Sequence, residues 1–264
     1  MIPDSRGSVD GIAWRSAGAG PPLLLIQGLG YPAAMWFRLR PHLTGFRLVT
    51  FDNRGVGESR SAAYDGLTIE QMADDAARVI ADAGVDAAHV LGASLGGIVA
   101  QELALTRPEL VRRLVLVSTH TGDAGAVPAD AHVLAALASR SRLTGDAALR
   151  VTVPYVYSAS TPAEHIDEDV AVRAASDLDP RVYDAQLAAA HAYVGTSDRL
   201  TGLHAPTIVV HGTSDLLVPP ANAERIADLV PDAELEWVRG GGHNLFSERA
   251  ADLGRVVTTA GTRP

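Results

Sequence analysis

The order of hydrophobic and polar positions divides most of the chain into short apolar runs and longer segments with helical spacing. The apolar runs lie at residues 23–28, 47–52, 88–93, 114–118 and 207–212, with an outer run at 234–238. Because these runs lack the alternation of a half-solvated strand, they predict buried strands. Helical spacing predicts helices over residues 69–83, 95–105, 221–229 and 247–258. Alternating strands and helices favour an α/β fold with a mostly parallel central sheet flanked by helices.

The segment 121–203 departs from this alternation. It has no convincing strand, and its helical stretches are interrupted by Pro128, Gly145, Pro162, Pro180 and Gly195. We therefore expect a helical cap, inserted between two parts of one α/β core at residues 1–120 and 204–264. The abundance of Ala, Leu and Val in this cap favours a moderately apolar ligand. Its tyrosines either pack a core or line a pocket.

Composition excludes several kinds of chemistry. The 264 residues include no cysteine, which removes thiolate nucleophiles, thiolate metal sites and disulfides. All 22 basic residues are arginines, so a phosphate-binding lysine and a Schiff base are excluded as well. The net charge of −9 argues against nucleic acid or an anionic membrane as a partner. Without a signal peptide or a long apolar run at any position, we expect a soluble, cytoplasmic protein.

The strongest chemical signal is the run Gly-Ala-Ser-Leu-Gly-Gly at residues 92–97. It lies between a predicted strand and a predicted helix, where a sharp turn would hold Ser94 in a strained conformation and expose its hydroxyl. The helix N-terminus would supply positive potential at the same place. This context predicts that Ser94 is a nucleophile. The alternative is a glycine-rich turn in which Ser94 only caps the helix.

A serine nucleophile needs a base, and the later part of the chain offers one candidate with a partner. His243 follows the last predicted strand on a glycine-rich loop, and Asp215 follows the strand predicted at 207–212. Because carboxyl ends of parallel strands share one edge of a sheet, we expect His243 to reach Ser94 and Asp215 to orient the imidazole. The order Ser, Asp, His along the chain is that of hydrolases with a nucleophile elbow.

Backbone amides near the nucleophile would complete the site. The first buried strand leads into Gln27-Gly28-Leu29-Gly30, where the glycines permit close approach of the backbone. We expect the amides of Leu29 and Leu95 to form an oxyanion hole, each donor contributing about 3 kcal/mol to stabilisation of the transition state.

Together these motifs resemble the α/β-hydrolase superfamily over all of the chain except the insertion. Residues 51–59, Phe-Asp-Asn-Arg-Gly-Val-Gly-Glu-Ser, are similar to the structural loop after the family's second long strand. The insertion lies where family members carry a lid. Gln27 stands where a histidine commonly precedes the glycine, which puts the hydrogen bonding of that loop and the substrate preference in doubt.

The resemblance implies a serine esterase or lactonase that acts on a carboxylic ester, thioester or lactone of a small to medium metabolite through an acyl-enzyme. No metal-ligand spacing and no dinucleotide-binding loop is visible, so we expect neither a metal nor a cofactor. Because one fold hosts many reactions, an acyl transferase, cyclase, lyase or perhydrolase remains an alternative, as does a ligand-binding module. Substrate identity and oligomeric state stay open.

Overall fold

The computed structural model describes residues 4–261, in which eight strands form one sheet. The strands are β1 (Ser5–Val9), β2 (Ile12–Gly18), β3 (Pro22–Ile26), β4 (Arg47–Phe51), β5 (Ala88–Ala93), β6 (Val111–Val117), β7 (Thr207–Gly212) and β8 (Glu234–Val238). Their order across the sheet is β1-β2-β4-β3-β5-β6-β7-β8. Strands β3 to β8 pair in parallel, and β1 and β2 are antiparallel to their neighbours. The predicted mostly parallel sheet is confirmed.

Helices connect the parallel strands except β3 and β4, which are joined through 3-10 turns. They are α1 (Ile69–Asp82), α2 (Leu95–Thr106), α3 (Ala131–Ser139), α4 (Gly145–Arg150), α5 (Val153–Val156), α6 (Ala163–Ala174), α7 (Pro180–Ala192), α8 (Ser197–Leu200), α9 (Ala221–Leu229), α10 (Leu245–Glu248) and α11 (Ala250–Gly261). Short 3-10 turns occur at Ala33–Phe37, Arg40–His42, Gly57–Ser59, Pro108–Leu110 and Arg140–Arg142. No helix in the described part of the chain combines the length and the hydropathy that a membrane crossing requires.

The sheet buries side chains on both faces. Successive residues of β3 point to opposite sides: Leu24 packs into a cluster with α1, α2 and α9, and Leu25 packs into a second cluster with α11. Side chains that alternate across a strand therefore contact apolar neighbours at every position, as the continuous apolar runs predict. This packing makes the sheet a rigid frame whose carboxyl edge carries the loops described below.

The N-terminal hairpin of β1 and β2 was not predicted. Its turn is Asp10-Gly11, with φ of 49° and 80°, a two-residue reversal that favours Asp-Gly. One face of β1 is half-exposed, so the hairpin has no continuous apolar run for the pattern to detect. The Asp-Gly pair was the signal that could have revealed it.

Several predicted boundaries move. The strand predicted at 23–28 ends at Ile26, so the loop from Gln27 onward lies outside the sheet. The helix predicted at 247–258 is instead two helices, α10 and α11, separated at Arg249, where φ is −130°. The segment between β6 and β7 contains helices α3 to α8 and no strand in its described residues. Its status as a separate cap bounded at 121 and 203 stays a prediction.

Candidate active site

Ser94 occupies a strained turn between β5 and α2. Its φ is 54° and its ψ is −122°, a backbone conformation that non-glycine residues rarely adopt. Its carbonyl accepts hydrogen bonds from the amide of Gly97 at 2.8 Å and from the Thr119 hydroxyl at 2.7 Å. The side chain makes no capping hydrogen bond to α2. The alternative interpretation, in which Ser94 only caps the helix, is therefore wrong.

Glycines on either side make the turn possible. A Cβ at Gly92 would overlap the carbonyl oxygen of Gly96, and a Cβ at Gly96 would overlap the carbonyl of Ile26. Both obstacles are backbone atoms, which cannot move aside as a flexible side chain can. The two glycines let strand β5, strand β3 and helix α2 approach closely enough to hold Ser94 at the sheet edge.

Asp215 and His243 meet at the same edge. His243 Nδ1 lies 2.8 Å from Asp215 Oδ2, although the residues are 28 positions apart. Asp215 Oδ1 accepts hydrogen bonds from the amides of Leu217 and Val218, both at 2.9 Å. These contacts fix the carboxylate, and the carboxylate in turn orients the imidazole, which lines the cavity in front of Ser94.

Asp215 has a second histidine neighbour that sequence reasoning missed. His211, four residues earlier and fully buried, places Nε2 3.2 Å from Asp215 Oδ2 and 2.9 Å from the Val218 carbonyl oxygen. Burial by itself would raise the pKa of Asp215, but the charge of His243 and hydrogen bonds from His211 and His243 lower it to about 2. Asp215 is therefore a carboxylate at neutral pH.

The loop after β3 presents one free amide beside Ser94. The Gly28 amide donates to Gln27 Oε1 at 3.1 Å, and the Gly30 amide donates to Gln186 Oε1 at 2.8 Å. Among the hydrogen bonds of residues 4–261, the Leu29 amide has no acceptor. Leu95 is the first residue of α2, where an amide has no intrahelical acceptor.

Gln186 shows how helix α7 supports this loop. It is fully buried in α7, accepts the Gly30 amide, and donates to the Arg54 carbonyl at 3.3 Å. Sequence reasoning passed it over because a lone glutamine on a helix carries no motif. Gln27, the departure from the family pattern, accepts the Gly28 amide through Oε1, and its Nε2 is buried without a partner.

A cavity of about 720 Å³ opens in front of Ser94. Ser94, Leu29, Leu95 and His243 all line it, and Asp215 lies behind His243. Much of the remaining wall is apolar and comes from the segment between β6 and β7. Of the four tyrosines in that segment, Tyr183 and Tyr193 line the cavity.

His120 is a further lining residue that the sequence did not reveal. It follows β6, and its Nδ1 accepts the Gly122 amide at 3.0 Å. Burial, together with the charge of His243, lowers the pKa of His120 to about 4. His120 is therefore neutral at neutral pH.

Comparison with known proteins decides the family. A family model described as the alpha/beta hydrolase fold matches residues 21–250. This chain belongs to the α/β-hydrolase family. The resemblance inferred from the elbow, the Asp and His loops and the loop at 51–59 is confirmed.

Curated relatives support a hydrolase. The protein of Azorhizobium caulinodans named "Putative carbamate hydrolase RutD" is 30% identical over 96% of this chain and 95% of its own length. A protein of the same name from Variovorax paradoxus is 32% identical over 90% of each chain. These relatives, with the family match, establish this α/β-hydrolase as a hydrolase in the broad sense.

Solved structures share the whole architecture. Est816, reported as an N-acyl homoserine lactone degrading enzyme, is 27% identical, with a TM-score of 0.81 over 97% of this chain and 99% of its own. The enol-lactonase from Burkholderia xenovorans LB400 has a TM-score of 0.83 over 98% of this chain and 100% of its own, at 22% identity. At that identity the likeness to the enol-lactonase shows the fold alone.

Proposed function

We propose that this hydrolase cleaves a carboxylic ester, thioester or lactone through an acyl-enzyme formed on Ser94. His243 acts as the base, Asp215 as its positioning partner, and the amides of Leu29 and Leu95 as the oxyanion hole. The observation that carries the proposal is one cavity lined by a strained, uncapped serine and by an imidazole that is hydrogen-bonded to a buried carboxylate.

The reaction follows from these positions. Ser94 Oγ attacks the carbonyl carbon while His243 Nε2 takes the hydroxyl proton, and the two amides stabilise the negative charge on the carbonyl oxygen. The bond to the leaving oxygen or sulfur then breaks, and His243 returns the proton to that atom. Water, deprotonated by His243, attacks the acyl-enzyme and releases the acid and Ser94.

Asp215 supports both transfers as a permanent anion. It fixes the tautomer in which Nδ1 carries the proton and Nε2 is free to accept one. It also stabilises the imidazolium that forms while Ser94 is attacking. With a pKa of about 2, Asp215 does not itself take up a proton during the reaction at neutral pH.

A second candidate bond is the carbamate, supported by the names of the relatives from Azorhizobium and Variovorax. The same nucleophile, base and oxyanion donors would serve, because a carbamate also passes through a tetrahedral oxyanion. Its carbonyl is less electrophilic than that of an ester, since the nitrogen lone pair delocalises into it. We therefore favour the ester and treat the carbamate as the competing substrate.

Intact-mass measurement after incubation with a fluorophosphonate tests the nucleophile. We expect one adduct on the wild-type protein and none on Ser94→Ala, with Ser160→Ala, an exposed serine, labelled as the wild type is. Labelling of Ser94→Ala at the wild-type level would contradict the assignment of the nucleophile.

Turnover of matched phenyl esters and phenyl carbamates tests the bond. We expect ester hydrolysis that requires Ser94 and gives acid and alcohol in equal amounts. Faster cleavage of the carbamate would move the assignment to that bond. Products other than acid and alcohol would favour an acyl transferase or another reaction of the fold.

A further inference from the structure

Two buried arginines line the cavity on the side opposite the sheet. Arg140 begins the 3-10 turn after α3, and Arg173 lies near the end of α6. Their exposed fractions are 6% and 2%, and both line the cavity that contains Ser94 and His243. Neither residue belongs to the catalytic arrangement described above.

Their guanidinium groups lie on aromatic rings and not on carboxylates. Arg140 Cζ is 4.3 Å from the ring centre of Tyr183, and Arg173 Cζ is 4.4 Å from that of Tyr31. Arg173 Nη1 donates to the Leu149 carbonyl at 3.2 Å. The Nε atoms of both arginines are buried without a hydrogen-bond partner. Within residues 4–261 neither arginine forms an ion pair.

The carboxylate one helical turn before Arg173 is already occupied. Asp169 accepts hydrogen bonds from Arg38 Nε at 3.0 Å, from the Tyr157 hydroxyl at 2.8 Å and from the Ser247 hydroxyl. Both of its oxygens are therefore engaged by other donors, and Asp169 forms no ion pair with Arg173 within the described residues.

Arg54 provides the internal comparison. It is as buried as Arg140, at 6% exposed, but it donates from Nε and Nη2 to Asp75 at 3.0 and 2.6 Å. A buried charge costs several kcal/mol unless it is paired, and a second like charge nearby adds to that cost. Arg54 is paired with a carboxylate of the protein, whereas Arg140 and Arg173 are not.

Arg140 keeps its charge in spite of this cost. Burial, with the neighbouring charge of Arg173, lowers the pKa of Arg140 to about 10. Arg140 is therefore still a cation at neutral pH. Two cations in a largely apolar cavity, neither paired with a carboxylate, favour binding of an anion, which would supply the missing counter-charge.

The pair lies close to the reacting atoms. A Cβ built at Gly28 would stand 3.7 Å from Ser94 Oγ, and one at Gly30 would stand 3.1 Å from Arg140 Nη1. Two residues of chain span at most about 7 Å. Tyr31, under Arg173, accepts a hydrogen bond from Asn244, the neighbour of His243, at 3.1 Å. A single small molecule can therefore reach from Ser94 to the guanidinium groups.

We propose that Arg140 and Arg173 form an anion subsite, and that the ester attacked by Ser94 carries a carboxylate which this pair binds. The proposal rests on the function proposed above and adds the substrate class. A carboxylate is planar and matches the fork of N–H donors on a guanidinium. The apolar remainder of the wall suits the body of the substrate, so the expected ligand is an apolar ester with one anionic end.

Matched substrates test the subsite. The anionic set is the mono-4-nitrophenyl esters of succinic, glutaric and adipic acid, for an anion on the acyl side, and 4-(butyryloxy)benzoate, for one on the alcohol side. Each is compared with an isostere in which isopropyl replaces the carboxylate. We expect the wild type to prefer at least one anionic ester by about tenfold or more in kcat/KM, since hydrogen bonds between a guanidinium and a carboxylate are stronger than those between neutral groups.

Arginine variants show whether the pair causes the preference. Arg140→Gln and Arg173→Gln should lose it, with rates on the neutral isosteres changed less than about threefold. Arg142→Gln is the matched control, because Arg142 is exposed on the same turn as Arg140. If the glutamine variants fold poorly, Arg140→Lys and Arg173→Lys provide the test. They keep the charge and should retain part of the preference for the anionic ester. Preference for every neutral isostere, or a preference that survives in the double glutamine variant, would overturn the proposal.

Binding without turnover separates this proposal from the proposed function. Calorimetry with glutarate and adipate on Ser94→Ala should detect binding that disappears in Ser94→Ala/Arg140→Gln. If no ester is cleaved but this binding is found, the anion subsite stands and the esterase proposal falls. If esters are cleaved but neither diacid binds and no anionic ester is preferred, the subsite falls alone. Binding of inorganic phosphate in place of the diacids would overturn the carboxylate assignment.

Discussion

The two walls of the cavity hold their charged groups in opposite ways. On the sheet side, Asp215 has a partner for each oxygen: two backbone amides on Oδ1, and His211 and His243 on Oδ2. On the helical side, Arg140 and Arg173 lie on tyrosine rings with their Nε atoms unpaired. The proposals above assign the paired carboxylate to the reaction of every substrate and the unpaired arginines to binding of one class of substrate. On this proposal, the sheet side of the cavity carries out the reaction and the helical side selects the substrate.

Removing the carboxylate on the sheet side should have the largest effect. Asp215→Asn keeps the shape but loses control of the His243 tautomer, and we expect kcat/KM to fall about 10⁴-fold, by analogy with the serine protease triad. The loss should be equal for anionic and neutral esters, unlike that of the Arg140 and Arg173 variants. Steady-state kinetics on both substrate sets measures it, with the exposed Asp228→Asn as control. A loss of activity confined to anionic esters would contradict the proposal that Asp215 acts on every substrate and that only Arg140 and Arg173 distinguish anionic from neutral esters.

Asp169 joins the helical wall to the core, and its loss should reduce stability next. Asp169→Asn removes the buried negative charge beside Arg38 and replaces one of the two oxygens that accept from Arg38, Tyr157 and Ser247 by an NH2 donor, so we expect the free energy of unfolding to fall by about 3 kcal/mol. Urea denaturation measures the change. Glu164→Gln, an exposed position on the same helix, should alter it by less than about 0.5 kcal/mol. Equal effects of the two variants would show that this contact does not anchor α6.

Glycine substitutions compare the rigidity of the two regions. Gly96→Ala places a methyl group against the backbone carbonyl of Ile26, and we expect a loss of about 2 to 3 kcal/mol together with lower activity. Gly202→Ala, at the end of the helical segment, meets its nearest atom at 3.4 Å, an ordinary contact. It should change stability by less than about 1 kcal/mol. Thermal denaturation of both variants gives the comparison, and a tolerated Gly96→Ala would contradict the close approach at the elbow.

Among these predictions, the loss of stability at low pH should be the smallest effect. The pKa of Asp215 is lowered from 3.8 to about 2 in the folded protein. Its contribution to stability is therefore complete above about pH 4 and is lost as pH falls toward 2, an amount of about 2 kcal/mol. The unfolding free energy of the wild type relative to Asp215→Asn should decrease by this amount between pH 5 and pH 2. A difference that stays constant over that interval would mean that Asp215 is not held as a carboxylate.

The local pattern of residues was sufficient to predict an element wherever that element depends mainly on its own residues. The runs at 88–93, 207–212 and 234–238 coincide with β5, β7 and β8, because continuous apolar runs with turn residues at their ends leave few other arrangements. The conformation of Ser94 was also predictable, since glycines at 92 and 96 permit a turn that most residues forbid. The assignment of Ser94, Asp215 and His243 as a triad stays a prediction until activity is measured.

Contacts between distant segments were not predictable. His211 contacts the Val218 carbonyl, and Gln186 accepts the Gly30 amide, yet neither residue belongs to a motif. The local sequence around a buried histidine or glutamine does not show whether its side chain only packs or also holds a loop in place. The hairpin β1–β2 escaped detection for a different reason. It is an antiparallel edge, where half-exposed residues weaken the apolar signal.

The sequence by itself determined the alternation of strands and helices and the three loops that carry Ser94, Asp215 and His243, because parallel strands bring their carboxyl ends to one edge whatever the rest of the chain does. Only the tertiary structure decided which helical residues face the cavity. The sequence suggested an apolar cap, and the structure adds Arg140 and Arg173 to its wall. These residues are 33 positions apart on separate elements. The packing of those elements against each other, which no local pattern encodes, leaves two cations in the wall of the cavity that Ser94 also lines.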